Sequence, residues 1–248
     1  MKRIIVPLPS KDFELTEVAV PWKLFCDEGY EVVFATEDGR EAITDPLLIE
    51  GVIFGQLGAK PAAIRLYRQM QQQPNFKQPI RYDKIIAADY DALHLPGGHA
   101  KGMRQYLESV VLQKKVVDFF NLNKIVGAIC HGPVLLSRSI DPQTGKSVLF
   151  NKRTTCLTKL LEGLGYGLTF WKLGDYYRTY PEYVQDEVCR CLKHKQQFDK
   201  GGLNIFKPFV CVDNNLVTAR WPEDAYLYGR TVIDMLKHTD ARIRAKAL

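Results

Sequence analysis

Lys124-Ile125-Val126-Gly127-Ala128-Ile129-Cys130-His131-Gly132-Pro133 is the stretch that decides the fold. Its short apolar run has the length and composition of a strand buried on both faces. Pro133 suits the first turn of a helix that continues through Val134, Leu135 and Leu136. Gly127 and Gly132 permit the close backbone approach that a sharp turn needs. The stretch reads as strand, turn and helix, with Cys130 in the turn.

The same alternation extends in both directions. Residues 3–8 read as a first strand ended by Pro7 and Pro9. A helix follows over residues 17–28, with Thr16 as its N-cap and Gly29 as its stop, and Pro21 tolerable only because it lies near the start. Residues 31–36 (Glu-Val-Val-Phe-Ala-Thr) form the next strand, closing a βαβ unit with a parallel, right-handed crossover. Residues 91–95 give a strand that opens into Pro96-Gly97-Gly98-His99, followed by helix toward Phe120. Residues 208–212 and 216–219 pair as a hairpin across Asp213-Asn214-Asn215, and a helix over 225–237 closes the pattern. The fold class is α/β: a mainly parallel sheet flanked by helices on both faces, in a single domain over residues 1–248. Residues 40–90, rich in breakers but with a helix at 61–70, are expected as an insertion over one sheet edge. The aromatic stretch 171–183 marks 165–205 as a lid or interface.

Bulk properties narrow the function classes. The chain has 248 residues, 46% hydrophobic and 25% charged, enough for a sizeable core. Its net charge of +6 comes from scattered lysines and arginines, so no nucleic-acid stripe is expected. The N-terminal apolar run is too short for a signal peptide and no segment suits a bilayer, so no membrane partner and a cytoplasmic location are expected. The six cysteines lack paired C-x-x-C spacing, and Cys189-Arg190-Cys191 makes a poor zinc knuckle.

Chemistry collects at the carboxyl ends of parallel strands, where loops meet helix N-termini with unpaired N–H groups. Cys130 lies at such an end. A helix N-terminus beside the sulfur favours thiolate and is expected to lower a pKa that starts near ~8.5 in free cysteine. His131 is placed to accept the thiol proton. The bland alternative is a small buried residue closing a strand, with His131 bonded to backbone.

Three blocks resemble the ThiJ/PfpI superfamily, whose fold is flavodoxin-like and class I glutamine-amidotransferase-like: Thr16-Glu17-Val18-Ala19-Val20-Pro21, Leu95-Pro96-Gly97-Gly98-His99, and Ala128-Ile129-Cys130-His131-Gly132-Pro133. The resemblance implies Cys130 as nucleophile and Glu17 as a glutamate that shares a proton with it. It implies Gly98 and His131 as oxyanion-hole N–H donors. In the chaperone and glyoxalase branch an acidic residue orients the histidine beside the cysteine, and Glu162 is the candidate here, where that branch usually carries aspartate. A solvated helix-face glutamate is the competing reading. His99 resembles one ligand of a metal site in some relatives, but no other ligand is identifiable, so no metal and no cofactor are expected. His238-Thr239-Asp240 resembles the H-x-E of true amidotransferases; it is set aside because His238 suits a helix C-terminus.

The function implied is a cysteine-dependent enzyme acting on small carbonyl compounds or their protein adducts, concretely conversion of methylglyoxal to lactate without glutathione, or deglycation. An intracellular cysteine peptidase or amidase and a redox-responsive chaperone without turnover are the alternatives. Relatives imply a homodimer.

Overall fold

Runs of β-branched and aromatic residues supply the strands of one seven-stranded sheet. They are β1 (Arg3–Pro7), β2 (Glu31–Thr36), β3 (Ile80–Arg81), β4 (Ala92–Leu95), β5 (Ile125–Ile129), β6 (Val210–Asp213) and β7 (Leu216–Ala219). The spatial order is β6-β7-β5-β4-β1-β2-β3, all neighbours parallel except the β6–β7 hairpin. The structure is a computed structural model and describes residues 1–52 and 58–246, with side chains through residue 238.

Helices cover both faces, because every residue of β4 and β5 is buried and needs apolar cover on either side. One face carries α1 (Leu15–Asp27), α2 (Pro61–Met70) and the final helix α7 (Ala225–Lys246), with α1 packed between the other two. The other face carries α3 (Val110–Asn121), α4 (Gly132–Arg138) and α6 (Val184–Cys191), and α5 (Lys159–Leu173) lies against α6. Among the described residues no helix is long and apolar enough to cross a membrane.

Several local expectations are corrected. The cap of α1 is Glu14, whose carboxylate accepts the Glu17 N–H, while Thr16 lies inside the helix. Pro21 sits well within α1, where its missing N–H leaves the Glu17 carbonyl free. The Nε2 of His94 takes that carbonyl at 2.8 Å, and the His94 Nδ1 meets the Tyr228 hydroxyl at 2.7 Å. A carbonyl only accepts, so Nε2 carries the proton and Nδ1 receives the tyrosine's. Burial pushes His94 down to about 4, in keeping with that neutral ring. The helix after β4 is broken: Ser109 starts a new one by accepting the Leu112 N–H. His238 lies exposed inside α7, which runs on to Lys246, so it occupies no helix terminus; the side chains of Thr239 and Asp240 lie outside the described residues. Within 40–90, residues 53–57 lie outside the described ones. The remainder supplies α2 on the sheet face and also the edge strand β3.

Candidate active site

The chain leaves β5 through Cys130, which adopts φ 61°, a left-handed conformation unusual for a residue with a Cβ. Two backbone bonds hold it there: its N–H donates to the Ala219 carbonyl and its own carbonyl accepts from Leu157 N–H, both at 3.0 Å. Residues kept in sparsely populated regions cost on the order of 1–3 kcal/mol and concentrate at functional sites. The 96–98 loop presses against this turn. A Cβ on Gly97 would lie 2.6 Å from the His131 nitrogen and 2.8 Å from the Cys130 Cβ, so only glycine fits.

Glu17 is fully buried in the first turn of α1, and its Oε2 accepts the Gly97 N–H at 2.8 Å. Its Oε2 and the Cys130 Cβ both border Gly97, and its Oε1 is buried with no hydrogen-bond partner among the described residues. Burial, reinforced by the Glu14 charge, raises Glu17 well above the carboxylate range. Burial and then Glu17 likewise raise the Cys130 thiol, against a smaller lowering by the His131 N–H. That corrects the expected depression by a helix terminus: α4 is short, and desolvation of a sulfur with no exposed surface outweighs it. Both shifts favour the uncharged forms of the pair.

His131 is 1% exposed, and its Nδ1 lies 3.4 Å from the Cys130 sulfur. Its Nε2 lies 3.1 Å from the Thr179 hydroxyl. Thr179 has a single hydroxyl proton, and it donates that to the His99 carbonyl at 2.6 Å. Toward His131 it can therefore only accept, so Nε2 carries the ring proton. Burial, with His99 and Arg178 nearby, holds the imidazole well below its usual pKa and so neutral. A neutral ring protonated at Nε2 presents a bare Nδ1 to the thiol, as a base requires.

Glu162 does not meet His131. Its carboxylate accepts from Arg178 Nη1 at 3.1 Å and from the Val184 N–H at 2.9 Å. Burial pushes it up to about 7 against those bonds. It thereby ties both ends of the segment that carries Thr179, and it reaches the histidine only through that segment. Nothing in Arg178-Thr179-Tyr180 marked the threonine in advance: its role arises from a fold contact 48 residues from His131.

Gly98 lines the cavity, and its N–H has no acceptor among the described residues. The His131 backbone nitrogen lies against Gly97 in the same turn. The His99 ring stands 5.1 Å from that of His131 and lines the cavity, and burial lowers it to about 4. Ligand atoms of His99, Cys130 and His131 lie within 4.8 Å of one another, a thiol and two imidazoles suited to a soft divalent metal.

A cysteine in a left-handed turn between a parallel strand and a helix, paired with a neutral histidine, defines an α/β protein of the nucleophile-elbow class. The family model described as ThiJ/PfpI family-like matches residues 8–229, and the chain belongs to that family. It is 28% identical over 231 residues to the glutathione-independent glyoxalase hsp3102 of Schizosaccharomyces pombe, covering 89% of this chain and 87% of the other. It is 25% identical over 234 residues to the deglycase PH1704 of Pyrococcus horikoshii, covering 93% and 97%. The crystal structure of the Francisella tularensis rapid encystment protein REP24 superposes with a TM-score of 0.74 at 19% identity, over 95% and 99% of the two chains.

Proposed function

We propose that the protein is a cysteine-dependent enzyme of reactive carbonyl compounds, converting 2-oxoaldehydes such as methylglyoxal to 2-hydroxy acids without glutathione and acting similarly on their protein adducts. The observation that carries this reading is the aim of a bare, neutral His131 Nδ1 at the Cys130 thiol over 3.4 Å. The names of the S. pombe and P. horikoshii relatives support the same reaction class.

In this reading His131 takes the thiol proton as the sulfur attacks the aldehyde carbon, and the carbonyl electron pair moves to oxygen beside the Gly98 N–H. Protonation of that oxygen gives a hemithioacetal. His131 then removes the proton from the former aldehyde carbon and an enediol forms. Reprotonation at the neighbouring carbon leaves a lactoyl thioester, which water hydrolyses to lactate and free thiol. One carbon is oxidised and its neighbour reduced, so the balance needs water alone. Glu17 exchanges a proton with the sulfur. Because Cys130 has no exposed surface, this reading has the His99 side chain swing aside to admit the carbonyl. The same burial favours a small carbonyl group over a peptide bond.

Incubation of purified protein with methylglyoxal, followed by lactate measurement, tests this. The expected result is lactate without added glutathione and no cleavage of fluorogenic peptides. Peptide cleavage without lactate would overturn the proposal in favour of a peptidase.

A further inference from the structure

The cavity that Gly98 and His99 line has a volume of about 560 Å³. Cavities of roughly 300–1,000 Å³ hold drug-sized ligands, and a three-carbon dicarbonyl would leave most of this one to water. Helix α5 contributes a stripe to the wall, Leu161, Leu164 and Leu168, at helical spacing. Between them lies Gly165, where an added Cβ would sit 3.9 Å from the His99 ring. The stripe therefore begins at the gate of the active site. Ile205, Phe206 and Trp221 extend the apolar lining.

Two further observations point to an occupant of this wall. Leu164, Leu168 and Phe206 are 46%, 54% and 71% exposed, apolar surface that a ligand would remove from water. Trp221, half-buried, lines the same wall and offers it aromatic surface. Charge narrows the class further. Asp12, Glu14 and Asp45 also line the cavity, and Lys60 is paired with Glu223, so an anionic ligand is disfavoured.

We propose that the substrate of this site carries its reactive carbonyl on an uncharged apolar arm: a 2-oxoaldehyde with an aliphatic or aromatic substituent that lies along the α5 leucines. This rests on the carbonyl chemistry proposed above and names the substrate class within it. Each additional methylene buried along the wall adds up to about fourfold in affinity or kcat/KM.

Two measurements test it separately. The first compares kcat/KM of the wild-type protein for methylglyoxal, hexylglyoxal and phenylglyoxal. The expected result is a rise of at least about tenfold from the shortest to the longer substrates, diminished by Leu168→Glu. The second follows Trp221 fluorescence, assigned with Trp221→Phe, while the Cys130→Ala protein is titrated with unreactive 2-alkanones of increasing length. Binding that tightens with length upholds the assignment even if no dicarbonyl is turned over, in which case the proposed reaction falls and the apolar site stands. Turnover of methylglyoxal with no dependence on length in either measurement overturns the apolar arm and leaves the reaction standing.

Discussion

Replacing Thr179 by valine keeps the shape of the side chain and removes the one atom that accepts the His131 Nε2–H. That N–H is then a buried donor without a partner, which costs about 1–3 kcal/mol. The alternative tautomer, protonated at Nδ1, pays no such cost at Nε2, so the ring population shifts toward it. With Nδ1 protonated, the nitrogen 3.4 Å from the Cys130 sulfur can no longer take its proton. A penalty of about 1.4–2.7 kcal/mol on the productive tautomer lowers kcat by about ten- to a hundredfold. Lactate formation from methylglyoxal measures the rate, and nitrogen chemical shifts of the His131 ring report the tautomer, which a merely structural residue would not move. Thr179→Ser restores the hydroxyl and is expected to recover most of the rate. Wild-type kcat in Thr179→Val, with an unchanged tautomer, would refute the assignment of Thr179 as the positioning residue.

Other expectations follow from single contacts. Gly97→Ala drives a methyl to within 2.6 Å of the His131 nitrogen, and displacement of the 96–98 loop from the turn is expected to abolish activity with far less effect on the unfolding midpoint. Glu14 is raised from its ordinary 4.5 to about 7, chiefly by burial, so the folded state holds its proton longer than the unfolded one does. Its contribution to stability is complete below pH 4.5, falls as pH rises to about 7 and is flat above. Urea unfolding of Glu14→Gln is accordingly expected to lack part of the stability loss that the wild type shows between about pH 5 and about pH 8. Arg220 and Asp224, 1% and 0% exposed, are joined by two bonds of 2.9 Å. Asp224→Ala leaves the guanidinium buried without its partner and is expected to cost about 3–5 kcal/mol in denaturant unfolding.

The strand-turn-helix units were legible because each is local: a buried run, a glycine or proline at the break, and a capped helix. Residues 124–133 and 31–36 announced β5, α4 and β2 within a residue or two. The place of Cys130 in the turn was legible for the same reason, whereas Glu17 was singled out by the family resemblance alone. What escaped prediction depends on distant chain segments. The cap of α1 moved from Thr16 to Glu14 because a buried carboxylate reached the Glu17 N–H. The acceptor for His131 proved to be Thr179 because Arg178 and the Val184 N–H occupy Glu162. The sulfur's pKa was read from a helix terminus alone, and burial, which no single sequence displays, reversed the sign.

The central claim is that Cys130 is the nucleophile. Its most direct test is lactate production from methylglyoxal by Cys130→Ser, with the fold verified by circular dichroism. The serine hydroxyl is a far weaker nucleophile beside the same base, and a loss of at least about a thousandfold in kcat/KM is expected. Lactate formation within about twofold of the wild-type rate would contradict the account.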